Sequence, residues 1–242
     1  MRRLKIVFGA EVVLLLTINA LFVIYFIAKG IEVDGDMTLL FQEKALGTLL
    51  PTIQLYLSSA ACLLTYWRRS LRLGQNVFPI VGKKTLWIWS AAGFAYLGLD
   101  DWNKLHEKID FKLHDWMEAL TGLNWSKSNP YTDRLDDLIV GVMIAVAILI
   151  LWRYRQEFLA LPITAILFIF ALLLTFPMVV IDLVTNRNDI LPFLLGQKIA
   201  SLIKDPLYVI EESLKIFATA LFLLGSTAGF VFPGRKNSKS LS

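Results

Sequence analysis

Runs of about 20 consecutive apolar residues recur along this chain, each long enough to cross a hydrocarbon core of roughly 30 Å. Inside such a core the backbone must satisfy its own hydrogen bonds, which leaves only helices or a closed barrel. The runs are continuous rather than alternating, so a barrel is excluded. Only 18% of the residues are charged and 56% are hydrophobic, a balance that a soluble domain does not show. The fold predicted is an all-α polytopic membrane helix bundle of six transmembrane helices, roughly 5–28, 46–67, 85–105, 137–155, 158–183 and 207–232. Residues 1–233 form the membrane domain, and 234–242 read as a disordered basic cytoplasmic tail. The first run continues past 20 residues without a small-residue cleavage site, so it reads as an uncleaved span rather than a signal peptide.

Charge sets the orientation. The N-terminus, the second and fourth connections and the tail hold 13 basic residues, among them Arg2, Arg3, Arg68, Arg69, Arg72, Lys83, Lys84, Arg153 and Arg155, against one acid, Glu157. The positive-inside rule places these segments in the cytoplasm and gives an N-in/C-in topology. The net charge of +4 is then a consequence of topology and no argument for nucleic acid. The partners predicted are the lipid bilayer and other membrane proteins. The single cysteine, Cys62, excludes an intrachain disulfide and a multi-cysteine metal site.

Local signals refine the boundaries. Asp205-Pro206 suits the start of the sixth span, and Thr132 with Asp136 and Asp137 that of the fourth. Ala91/Ala95 and Gly141/Ala145 are small residues at helical spacing, suited to close helix contacts. Pro162 and Pro177 are candidate kinks in the fifth span, and 192–204 reads as a short amphipathic interfacial helix. Trp67, Trp87, Trp89, Trp102 and Trp152 fit an aromatic belt. Glu11 and Asn19 are polar groups at membrane depth, suited to interhelical hydrogen bonds. Asn124-Trp125-Ser126 matches the glycosylation pattern, which also arises often by chance.

The stretch with most chemistry is Leu99-Asp100-Asp101-Trp102-Asn103-Lys104-Leu105-His106-Glu107. Counted from Leu86 at about 1.5 Å per residue, its two aspartates lie roughly 20 Å into the slab. Ionisable groups at that depth face protein, water or a ligand rather than lipid. From Tyr96 to Leu120 there is no proline, and Trp102, Leu105, Ile109, Leu113, Trp116 and Leu120 make one stripe, so the third span is expected to continue as an amphipathic extension. The opposite face carries Asp100, Asn103, Glu107, Asp110, His114 and Glu118, and solvation is the default for such a face. Glu211 and Glu212 enter the sixth span at similar depth from the same side, and Asp182 ends the fifth. Lys215 follows Glu211 at the spacing of an intrahelical ion pair. Several carboxylates at one place require a metal, a shared proton or a lysine to remain together. Asp101, His106, Glu107, Asp110, Glu211 and Glu212 are therefore candidate ligands of a divalent metal ion. His106 and Asp110 stand at i, i+4, and His106-Glu107-Lys108-Ile109-Asp110 matches the zinc-protease helix except that aspartate replaces the second histidine.

Leu99-Asp100-Asp101-x4-His106-Glu107, with the later pair Glu211-Glu212, resembles a pattern of uncharacterised bacterial polytopic membrane proteins. There it commonly reads Leu-Asp-Glu, four residues, His-Glu, and then a Glu-Glu pair opening a later span. Asp101 here replaces the usual glutamate, and Lys215 stands where a further acid is often found. The resemblance carries no activity; it implies that His106, Glu107, Glu211 and Glu212 belong to one site, in a bacterial inner (plasma) or thylakoid-type membrane. Three functions remain open. One is a non-enzymatic accessory or scaffold subunit whose acidic exterior face binds a cation. Another is a metal-dependent hydrolase or oxidoreductase acting on lipid. The third is a proton- or cation-coupled carrier.

Overall fold

The computed structural model describes residues 2–34, 36–41, 46–72, 82–122, 135–185 and 190–232. The tail 234–242, the Asn124-Trp125-Ser126 pattern, Thr132 and the side chains of Asp136 and Asp137 lie outside this description. Among the described residues every regular element is helical: α1 (Arg2–Asp34), α2 (Leu46–Arg72), α3 (Leu86–Asn103), α4 (Leu105–Thr121), α5 (Leu135–Arg153), α6 (Arg155–Leu159), α7 (Pro162–Thr185), α8 (Ile190–Leu195) and α9 (Gln197–Val231), with short 3-10 turns at Leu39–Phe41 and Lys83–Thr85. Four segments among the described residues are long and apolar enough to cross a membrane: Ile6–Val33, Leu39–Leu71, Pro162–Thr185 and Gln197–Val231. The apolar part of α5, Ile139–Arg153, is shorter.

The bundle is organised around α9, which packs on α7 and α2 and touches α1, while α2 also packs on α3. Lipid tails are as apolar as leucine, so helices associate in a bilayer through close fit rather than hydrophobic transfer. Gly225 and Gly229 supply that fit, one turn apart on α9. A Cβ at Gly225 would lie 2.4 Å from the Phe168 ring of α7, and one at Gly229 2.6 Å from the Trp87 ring of α3. Phe94, Phe168 and Phe222 meet nearby at centroid distances of 5.2 to 5.9 Å. Leu55, Cys62, Tyr66, Trp87 and Ala91 complete this core. A smaller cluster of Phe26, Phe41, Val209 and Ile216 closes the other end. Beside it Asp36 accepts hydrogen bonds from the Thr38 amide and hydroxyl, which hold its carboxyl below the ordinary range.

Several boundaries differ from the sequence reading. The third span does not run on to Leu120. It breaks at Lys104, which adopts the left-handed conformation (φ 51°, ψ 54°) and donates its N–H to the Asp100 carbonyl at 2.6 Å. That conformation costs an ordinary residue roughly 1–2 kcal/mol, and Asp100 offsets it. One of its carboxylate oxygens accepts the His106 N–H at 2.7 Å and the other meets His106 Nδ1 at 2.8 Å, capping α4 from across the turn.

The predicted interfacial helix 192–204 is not separate. The chain turns at Gly196 (φ 79°), a backbone that L side chains rarely adopt, and α9 then runs through Asp205 and Pro206 without ending. Pro162 starts α7 rather than kinking it, because a first-turn proline has no N–H to lose, while Pro177 lies within the helix. Ala91 is buried as expected, but Gly141 and Ala145 face outward because α5 lies on the flank of the bundle. Trp67, Trp89, Trp102 and Trp152 are exposed like belt residues, whereas Trp87 is a core residue.

Candidate functional site

The acids of the sequence reading separate into three groups. The first lies between α3, α7 and α9, packed against the start of α2. Lys215 Nζ stands 3.1 Å from Asp101 Oδ1 and 2.8 Å from Glu212 Oε1, bridging α3 and α9. Thr52 donates its hydroxyl to the other oxygen of Asp101 at 2.8 Å. Glu211 turns to the opposite side of its helix, where the Thr185 hydroxyl lies 3.4 Å from Oε2. Lys215 thus pairs with the i−3 acid rather than the predicted i−4 acid, because Asp101 draws the ammonium toward α3. Asp182 stands close enough for its charge to act on both glutamates. Glu211 and Glu212 are buried, and Oε2 of Glu212 has no hydrogen-bond partner among the described residues.

The second group is the turn between α3 and α4. His106 is held by Asp100, and Glu107 pairs with Lys104 at 2.9 Å. The turn gives both side chains partners close in sequence. Of the expected approach of Asp101, His106 and Glu107 to Glu211 and Glu212, the structure shows Asp101 sharing Lys215 with Glu212. The third group is Asp110 with His114, at 3.0 Å and one helical turn apart. Both are buried, contrary to the expectation of a solvated face, while Ile109, Trp116 and Leu120 of the predicted packing stripe are exposed. A helix does this when its polar side packs on neighbouring helices and its apolar stripe faces out of the bundle. Among the described residues no three His, Cys, Asp or Glu side chains stand together as a metal-holding set.

A buried amide relay leaves the first group toward the middle of the bundle. Thr219 Oγ1 donates to Gln54 Oε1 at 2.6 Å, Gln54 Nε2 to Asn19 Oδ1 at 2.8 Å, and Asn19 Nδ2 to the Leu15 carbonyl at 2.9 Å. Asn19 thus makes its predicted interhelical bond, joining α1 to α2 and α9. Glu11 does not; it is exposed on the outer surface of α1. Gln54 and Thr219 escape a reading of single segments, although a glutamine in an apolar run is itself a signal.

A different ionic arrangement sits at the other end. Glu157 of α6 is buried and takes both Arg69 Nε and Nη2, the latter at 2.8 Å, and accepts the Trp87 Nε1–H at 3.1 Å. Lys84 donates to Ser70 Oγ at 3.1 Å and lies over the Tyr66 ring. Arg68 caps the end of α9 through the Phe230 carbonyl. The one available hint was Glu157 itself, a single acid among thirteen bases.

Among the described residues, fold and site together define an all-helical protein with four helices long and apolar enough to cross a membrane and ionic groups buried between helices. Residues 7–228 match a family described as a domain of unknown function (DUF8692). The chain belongs to this family. No curated protein and no solved structure matches it.

Proposed function

We propose that this chain is a six-span protein of a bacterial-type inner membrane with both termini cytoplasmic, a non-enzymatic accessory subunit whose interior acid cluster takes up a proton or a small cation. The observation that carries the reading is the imbalance at Lys215. Asp101 and Glu212 share one ammonium, Glu211 lies within reach of the same charge, and one buried glutamate oxygen has no partner among the described residues. Ionisable groups at membrane depth mark ion and proton sites by default. The topology draws support from the way α1, α2, α6 and α9 bring their basic ends together: Phe8 meets Phe232, Arg68 meets Phe230 and Arg69 meets Glu157. The lipid-hydrolase reading draws none from His106 and Glu107, which are engaged by Asp100 and Lys104.

A carrier is the second reading. It is favoured by the buried polar side chains that continue along α2 from Thr52 through Gln54, Ser58, Cys62 and Thr65 to Ser70. Infrared difference spectra of the purified protein, recorded on pH steps and on addition of sodium or potassium, test the common core. A carboxyl band that responds is expected, lost in Glu212→Gln and kept in Glu107→Gln. Its absence, or its survival in Glu212→Gln, refutes the site. Vesicles loaded with a pH dye then separate the readings, since flux that depends on Glu212 requires a carrier. Reporters fused after Arg72 and Arg155 should read cytoplasmic, and one near Asn124 exterior.

A further inference from the structure

The basic end holds a second feature that the acid cluster does not explain. Between α5 and α6 the chain breaks at a single residue, Tyr154. The 3-10 turn Lys83–Thr85 comes against α6 at this point. Between the turn and the break lies a cavity of about 480 Å³, lined among others by Lys83, Thr85, Trp152, Arg153, Arg155 and Gln156. That volume falls within the range of small-ligand sites, which is about 300–1,000 Å³.

Among the described residues the lining holds three cations and no acid. Lys83, Arg153 and Arg155 have no carboxylate partner among the described residues, unlike neighbouring Arg69, which Glu157 neutralises. What positions the arginines is aromatic instead. The Arg155 guanidinium lies 4.8 Å from the Trp152 ring centroid and donates to the Trp152 carbonyl, and Arg153 lies 5.7 Å from the Tyr154 centroid. Stacking of this kind fixes the plane of a guanidinium and leaves most of its N–H groups available. A separate observation concerns Thr85. The residue is 5% exposed and lines the cavity, yet its hydroxyl oxygen is buried with no hydrogen-bond partner among the described residues. A buried hydroxyl without a partner is costly; since no solvent reaches it as it stands, a rotation of the side chain accompanies its bond to an anion in the cavity. Trp152, which lines the cavity, is 68% exposed, an aromatic group of the kind found at headgroup level.

Topology explains why bases collect on this side. It does not explain a concave site with oriented arginines and an unsatisfied hydroxyl. We propose that this cavity binds a phosphate group, that of an anionic phospholipid headgroup on the basic face, with Arg153 and Arg155 on the phosphate oxygens, Thr85 as a further donor and Lys83 as counter-charge. The inference is independent of the acid cluster.

Native mass spectrometry of the full-length protein in detergent tests it, with phosphatidylglycerol, phosphatidylcholine and inorganic phosphate as separate probes. Phosphatidylglycerol should be retained over phosphatidylcholine, and the Arg153→Gln/Arg155→Gln pair should weaken it by about tenfold. Thr85→Val should weaken it several-fold. Arg2→Gln/Arg3→Gln, which removes the same charge from the N-terminus, should leave it unchanged. Inorganic phosphate that binds with the same variant dependence supports the anion site and names a soluble phosphate as its occupant. Equal retention of the two lipids without phosphate binding overturns the proposal, as does an equal loss in the Arg2/Arg3 variant. If the double arginine variant fails to fold, Lys83→Gln/Thr85→Val makes the same discrimination.

Discussion

Both ends of this bundle bury charge, and they do so differently. At the end formed by Arg69, Glu157 and Trp87, the carboxylate oxygens meet an arginine and an indole N–H, so the acid is fully used by its neighbours. At the end formed by Asp101, Glu212 and Lys215, one ammonium serves two carboxylates directly, with Glu211 and Asp182 adding charge beside them. A buried pair with matched partners resists change, because removing either member leaves an uncompensated charge. A group with surplus acid can accept a proton or a cation without losing its frame. Burial of charge alone therefore does not distinguish a structural group from a candidate functional one; the balance of partners does.

That difference predicts unequal responses to mutation. Glu157→Ala should cost the most, about 3–5 kcal/mol, by stranding Arg69. Glu212→Gln should cost under about 1 kcal/mol, because Lys215 keeps Asp101. Unfolding of the purified proteins in mixed detergent would measure both, and equal losses would break the comparison. Next comes the middle, where both ends depend on the fit of α9. Gly225→Ala should destabilise by about 1–3 kcal/mol, since its new Cβ meets the Phe168 ring. Gly141→Ala should do nothing measurable, as a Cβ there meets nothing within 4 Å.

Gln54→Leu should follow at about 1 kcal/mol, the scale of a hydrogen bond between membrane helices. It should leave the cation-sensitive carboxyl band in place if the relay is a brace, and shift it if the relay communicates with Lys215. Lys104→Gly has a small expected effect of the opposite sign. Relief of the left-handed backbone should outweigh the lost Lys104–Glu107 pair, for a gain of at most about 1 kcal/mol in the same unfolding assay. A loss would mean that the pair with Glu107 matters more than the strain.

Much of the architecture was legible in the chain. Apolar run length is a local quantity, so the helical class and the four helices long and apolar enough to cross a membrane follow from it directly. Asn19 was readable as an interhelical hydrogen-bonding group for a similar reason: a polar group in an apolar run has few other places to go. The meeting of Asp101 with Glu212 was also foreseeable, since both acids enter from one side at similar depth. Helix ends were less legible. Whether the chain breaks at Lys104 or continues depends on Asp100 reaching His106 across the turn, a contact that competes with helix propagation by a margin that spacing does not encode.

The rest was decided by which helix lies beside which. Periodicity identified two faces on α4 but not which one meets protein, because lipid accepts an apolar stripe as readily as a core does. The fold buries Asp110 and His114 and turns Ile109 and Trp116 outward. In the same way Gly141 and Gly225 each stand among small residues at helical spacing, and only the position of α5 on the flank and α9 at the centre tells them apart. The sequence alone thus determined which segments are helical and which groups are too polar for lipid. Tertiary structure determined the partners of those groups, because pairing across helices depends on rotation about each helix axis, and in a membrane that rotation is set by packing and hydrogen bonds rather than by the apolar pattern.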